Sequence, residues 1–289
     1  RKRQWYRQRL LPSRLPAVKG ALYRHEGVYV VIGGAGGIGE AWSEYMIRTY
    51  RARIVWIGRR TKDATIQSKL DRLAVLGPAP HYIAADAGDR HALERAYQEI
   101  KQDHGQVHGV IHSAIVLHDK SLAKMEKASF QAALSAKVDV SVRLMQVFGR
   151  EPLDFALFFS SMQSFSRSPG QSNYAAGSTF EDAFAHQLGR AWPCAVKVVN
   201  WGYWGSIGVV ASKEYRDRMA RADIGSLEVD ESMAALEVLL GASQNQVVFL
   251  KATRPLGEDG GIAAELLCVY PQEVPSIIAS LREHEARAN

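Results

Sequence analysis

The chain has 289 residues, 47% of them hydrophobic, which can supply the core of one large α/β domain or two small ones. No apolar run approaches the roughly 20 residues that span a bilayer, the basic opening RKRQWYRQRLLPSRL lacks the apolar stretch of a secretory signal, and Cys194 and Cys268 lie too far apart for a disulfide framework or a metal site, so a reduced, cytoplasmic protein is expected. The net charge of +6 sits in the first 25 residues, where eight Lys and Arg meet no acid; the other 28 basic and 30 acidic residues nearly cancel, so neither nucleic acid nor membrane is the implied partner.

From Gly27 onward the pattern alternates between strand and helix. VYVVIGG (28–34) reads as a buried strand and 37–52 as a helix opening from the glycine turn. RIVWIG (53–58), HYIAAD (81–86) and VHGVIHSA (107–114) read as further strands, with helices at 64–77 and 90–104 between them. A long helix at 129–149, DFALFFSS (154–161), a helix at 174–191, CAVKVVNWG (194–202), a helix near 229–241 and QVVFL (246–250) complete the series. Seven short apolar strands separated by helices predict a Rossmann-like, doubly wound parallel sheet with helices on both faces.

Three stretches break that rhythm. Residues 1–26, with Pro12 and Pro16 and no clear period, read as a lead-in. Residues 203–227 follow a strand's C-terminal end, where ligands sit in such sheets, and are expected to form a mobile substrate lid. Residues 256–289 read as a tail or linker, which leaves 27–255 as the catalytic domain.

The GGAGGIG turn (Gly33, Gly34, Gly36, Gly37, Ile38 and Gly39) joins the first strand to the first helix. Glycines there let the backbone approach a pyrophosphate, and a helix N-terminus attracts it through free N–H groups and the dipole. The second strand ends in IGRR rather than an acid, so Arg59, and secondarily Arg60, favour the 2′-phosphate of NADPH over NAD. Asp86, ending the third strand, is placed for the adenine, and Ser113 and Ala114, ending the fourth, for the ribose side.

Reducing a ketone requires a proton donor for the carbonyl oxygen, a cation that makes the donor acidic, and a second donor for the developing oxyanion. Tyr174 at a helix start, Lys137 in the preceding helix and Ser161 at the intervening strand's end fit these roles, and all three can reach the C-terminal edge of the sheet.

FFSSMQSFSRSPGQSNYAAGSTFEDAFA, with LSAKVDV before it and VVNWGYWG after it, resembles the ketoreductase domains of modular polyketide synthases. The GQSNYAAGSTF wording is most similar to the trans-acyltransferase group of those assembly lines. The resemblance covers about residues 27–255 and includes the cofactor turn, GVIHSA, the Ser-to-Tyr interval of 13 and NWG. These domains are short-chain dehydrogenase/reductase relatives in which the catalytic Lys comes from the helix before the Ser strand, as Lys137 does; the YxxxK of the usual short-chain enzyme is missing.

The resemblance implies NADPH-dependent reduction of a β-ketoacyl thioester on the phosphopantetheine of an acyl carrier protein, beside neighbouring synthase domains. It places Asn200 with the cofactor, and Leu117, Asp119, Met162 and Gln163 with substrate and stereocontrol. Leu117 and Asp119 in VLHDKSL match the Leu-Asp-Asp region, with His118 replacing the first Asp; Ser166 stands where the opposite class often has Trp. A B-type enzyme giving a D-configured hydroxyl is implied. Ala176, rather than Pro, implies no epimerised α-methyl specialisation. Ser178 stands where most relatives have Asn; it can hydrogen-bond from the same helix face with shorter reach. The resemblance also implies that residues 1–26 are the remnant of an upstream structural half, and that the tail leads toward a carrier protein. A catalytically silent scaffold and a free-standing reductase of small ketones are the alternative readings.

Overall fold

The computed structural model describes Leu10 and residues 22–166, 168–207 and 213–252. Seven strands form one parallel sheet: β1 (Val28–Ile32), β2 (Arg53–Gly58), β3 (His81–Ala84), β4 (Gly109–His112), β5 (Phe155–Ser161), β6 (Ala195–Trp201) and β8 (Gln246–Phe249). Their order is β3-β2-β1-β4-β5-β6-β8, so the winding reverses between β1 and β4. The crevice beyond the C-terminal ends of those two strands is where an open α/β sheet binds ligands.

Each strand is nearly uniformly apolar because helices cover both faces. On one face Tyr29, Val31, Ile54, Trp56, Phe155 and Leu157 pack against Trp42 and Met46 of α1 (Gly37–Tyr50), Ile66 and Leu70 of α2 (Ala64–Ala74), and Leu236 and Leu239 of α7 (Val229–Gly241). On the other, Val30, Ile32, Val110, Ala156 and Phe158 meet Leu93 and Ile100 of α3 (Arg90–His104), Val140 and Leu144 of α4 (Lys127–Phe148), and Ala185 and Leu188 of α5 (Ser172–Ala191). The predicted seven-stranded, doubly wound sheet is thus the observed one.

Details differ from the sequence reading where tertiary contacts intervene. The stretch read as a lead-in contributes to the core at its end: Tyr23 is buried, packs edge-on against Tyr29, Trp42, Tyr50 and Phe155, and accepts a 3.0 Å hydrogen bond from Trp42 Nε1. The stretch expected to be a lid contains α6 (Lys213–Arg221) and the short β7 (Ile224–Gly225), which pairs antiparallel with β9 (Lys251–Ala252). Its ends are anchored, with Tyr203, Trp204 and Leu227 buried, while 208–212 lie outside the described residues. So do nearly all of residues 1–21 and the tail expected at 256–289. Among the described residues, no helix is long and apolar enough to cross a membrane, and no cluster of His, Cys, Asp and Glu could hold a metal.

Candidate active site

The glycine turn fills the crevice between β1 and β4 so closely that side chains are excluded. Gly33 has φ +85°, a left-handed conformation, and a Cβ there would lie 2.7 Å from the Ala114 nitrogen. At Gly34 a Cβ would lie 2.1 Å from Trp56 Cδ1, and at Gly39 it would lie 2.9 Å from Gly34 Cα. The turn is tied down by Gly33 N–H donating to Ile57 O and Gly36 N–H to Gly33 O. Ile38 packs against the core and holds α1 down on the turn. The N-cap Gly36 offers no side-chain cap, so the first-turn amides of Gly37, Ile38 and Gly39 are left for another acceptor. A backbone cradle stripped of Cβ atoms at a helix N-terminus fits a dinucleotide pyrophosphate.

The other expected cofactor residues lie along the same edge, with different freedom. Arg59 is exposed and forms no ion pair among the described residues, whereas Arg60 is engaged with Asp63 at 3.2 Å. Exposed Asp86 accepts from Gly88 N–H at 2.9 Å. Ser113 donates its N–H to Ile32 O, and Ala114 abuts Gly33. Asn200 is fully buried; Nδ2 donates to Asp182 Oδ2 (2.8 Å), Ser160 Oγ and Ser161 O, and Oδ1 accepts from Gln246 Nε2 (2.8 Å). The NWG asparagine therefore fastens β5, α5, β6 and β8 together.

Ser161 ends β5 and its hydroxyl accepts from Gln163 N–H at 3.2 Å, at the start of the short helical turn Met162–Ser164. Tyr174, in the first turn of α5, presents its phenol to Ser161 and to Ser178 one turn on; both hydroxyls favour the phenolate, but burial dominates and pushes the phenol well above its usual range. Ser178 Oγ is fully buried and makes no hydrogen bond of full geometry. Lys137, on α4, reaches in from the opposite side. Its Nζ donates to Phe159 O at 2.7 Å and lies 2.9 Å from Glu181 Oε2, with both side chains almost wholly buried. Phe159 O thereby engages one of its N–H donors, and the ion pair adds a carboxylate that the expected pairing of Lys137 with Tyr174 did not include.

A loop closes the remaining side. Asp119 Oδ2 accepts from Gln171 Nε2 at 2.8 Å, and Asn173 Nδ2 donates to His118 O at 3.1 Å, so the segment holding Leu117 and Asp119 is stitched to the start of α5 beside Tyr174. Met162 is buried next to Ser161, and Gln163 Oε1 accepts from Ser166 Oγ at 2.5 Å. The structure thus brings Ser161, Tyr174 and Ser178 together at one sheet edge beside the Leu117–Asp119 loop, while Lys137 pairs with Glu181 further along α5. Sequence reasoning passed over Gln171, Asn173, His112 and Glu181. The signal for Glu181 was there: it follows Tyr174 and Ser178 at helical spacing, as an acid on a face that should be buried.

A family model described as "KR domain" matches residues 27–206. The chain is 57% identical over its full length to polyketide synthase PksN of Bacillus subtilis and 50% identical over 98% of its length to polyketide synthase PksM of the same organism, yet spans only 5% and 7% of those relatives. Among solved structures it is similar to an N-terminal ketoreductase from the macrolactin assembly line (TM-score 0.75, 27% identity, 87% of this chain and 49% of that one). A ketoreductase domain from the bacillaene assembly line matches as well (TM-score 0.76, 27% identity, 82% of this chain and 58% of that one). With a family match over most of its length and a sheet shared with these solved ketoreductases, the chain belongs to the KR domains, the ketoreductase domains of polyketide synthases.

Proposed function

We propose that this domain reduces a β-ketoacyl thioester, carried on the phosphopantetheine of an acyl carrier protein, to a D-configured β-hydroxyacyl thioester with NADPH. The observation that carries the reading is the Ser161–Tyr174 hydroxyl pair at the sheet edge served by the glycine cradle. Gly33 to Gly39 would hold the pyrophosphate and Arg59, which is exposed and forms no ion pair among the described residues, the 2′-phosphate. Bound NADPH supplies a hydride. Tyr174 gives its proton to the carbonyl oxygen, Ser161 donates a hydrogen bond to that oxygen as charge develops, and Lys137 makes the phenol a better acid. The phenolate that remains takes a proton back from solvent. Asp119, fixed by Gln171, orients the acyl chain.

NADPH oxidation with an unbranched 3-oxoacyl pantetheine thioester, followed by chiral chromatography of the alcohol, tests the reading. Turnover with a D product is expected, and Tyr174→Phe should lower kcat by about 10²-fold or more with saturable NADPH binding retained. An L product removes the stereochemical assignment alone. The Glu181 carboxyl set 2.9 Å from Lys137 favours a second reading, a silent scaffold; wild type that binds NADPH without turnover is its signature.

A further inference from the structure

Three fully buried ionisable groups meet beneath the Ser161–Tyr174 edge. Glu181 stands two helical turns after Tyr174 on α5, so the two share a face. Its Oε2 lies 2.9 Å from Lys137 Nζ and its Oε1 3.4 Å from His112 Nε2. An apolar residue would fill this position without burying a charge, and burying one is unfavourable unless it is paired. The surroundings are shaped for the pair. Gly177 lets the Lys137 stem lie against α5, where a Cβ would come within 3.1 Å of Lys137 Cβ. Phe159 O accepts a hydrogen bond from the ammonium at 2.7 Å. His112 Nδ1 accepts from Ala114 N–H, which leaves Nε2 as the protonated nitrogen on the side of Glu181.

We propose that Glu181 is a positioning residue for the reduction: it holds the Lys137 ammonium in place and, through its own charge, sets how much of that positive charge supports Tyr174. The inference rests on the reductase reading above. With the carboxyl ionised, the pair is neutral and its negative member disfavours the Tyr174 phenolate. With the carboxyl protonated from solvent, the ammonium acts uncompensated and the phenol gives up its proton more readily. The groups facing Glu181 are Lys137 from α4, His112 from β4, and Asp182 and Tyr174 on α5 itself; Tyr215 of α6 faces Tyr174. Burial pushes the Glu181 carboxyl up to about 8 against the pull of Lys137, and burial keeps His112 neutral. The change of charge therefore falls within the range in which the enzyme can be assayed.

The experiment follows kcat and KM for thioester reduction between about pH 6 and about pH 10, in wild type and Glu181→Gln, with carboxyl NMR of the cofactor-free protein labelled with ¹³C-glutamate. Wild-type kcat is expected to fall about tenfold as pH rises through 8 with KM level, and Glu181→Gln to remove that fall. The glutamate resonance that titrates near 8 should be missing from the variant. A fall that persists in Glu181→Gln, an equal loss of kcat at every pH, or the absence of any glutamate resonance titrating above the ordinary carboxyl range overturns the inference. Should Glu181→Gln fail to fold, Glu181→Asp keeps the charge but withdraws it by one methylene; the fall should then move along the pH axis, and an unmoved fall overturns the inference. Wild type that never reduces the thioester overturns the reductase reading and the inference with it, whereas active wild type that Glu181→Gln matches at every pH overturns the inference alone.

Discussion

At the scale of single residues, the site is defined by which polar atoms keep a partner and which do not. Ser161 and Ser178 both face Tyr174, but only Ser161 stands at a strand end with its hydroxyl oriented by the Gln163 amide. Ser161→Ala should therefore lower kcat by about 10²-fold or more, as loss of an oxyanion donor does, while Ser178→Ala should cost no more than about tenfold in a parallel assay. Glu181 makes a prediction about stability too. Its folded-state pKa, about 8, lies above its ordinary value of 4.5. The contribution of this carboxyl to stability is thus complete below the ordinary value and lost as pH rises through 8. Urea unfolding at several pH values should show wild type losing stability relative to Glu181→Gln across that window, by a few kcal/mol. A constant difference between the two proteins would contradict the shift.

At the scale of elements, backbone shape and close packing decide what sequence motifs can do. The β1–α1 turn works because Gly33 adopts a positive φ and lies close against Ser113 and Ala114, which follow β4. Gly33→Ala meets both obstacles, so NADPH affinity measured by fluorescence should fall at least tenfold, with a lower melting temperature. The order of these elements was legible from alternating apolar runs, since buried parallel strands and their covering helices carry different periods. Their ends were less legible. The α5 helix starts at Ser172 rather than Tyr174, and α4 at Lys127 rather than 129, because no strong side-chain cap marks either start. The α6 helix lies inside the stretch expected to form a lid and is not signalled as a helix there, its strongly polar composition giving little apolar period to detect.

Across the whole molecule, the sheet divides the core into two apolar layers, and one of them recruits a residue from before the family match begins. Tyr23 closes an aromatic cluster with Tyr29, Trp42, Tyr50 and Phe155, yet stands upstream of residue 27. Tyr23→Ala should lower unfolding free energy by about 3–5 kcal/mol, the usual loss for a large buried aromatic, without changing KM for the thioester. A loss under 1 kcal/mol would show the layer to be complete without it.

By itself the sequence determined the succession of strands and helices, the glycine turn and the placing of Ser161 and Tyr174 at one sheet edge, because each depends on local period or on a chain connection whose handedness is nearly invariant. Only the tertiary structure decided the fate of polar side chains that look alike in one dimension. Asn200 became a structural pin because three other elements, β5, α5 and β8, bring donors and acceptors to its amide. Lys137 acquired Glu181 as counter-ion because Gly177 lets α4 and α5 approach. The physical reason is common to both. A buried polar group is stabilised by whatever partner folding brings within about 3 Å, and that partner comes from another part of the chain.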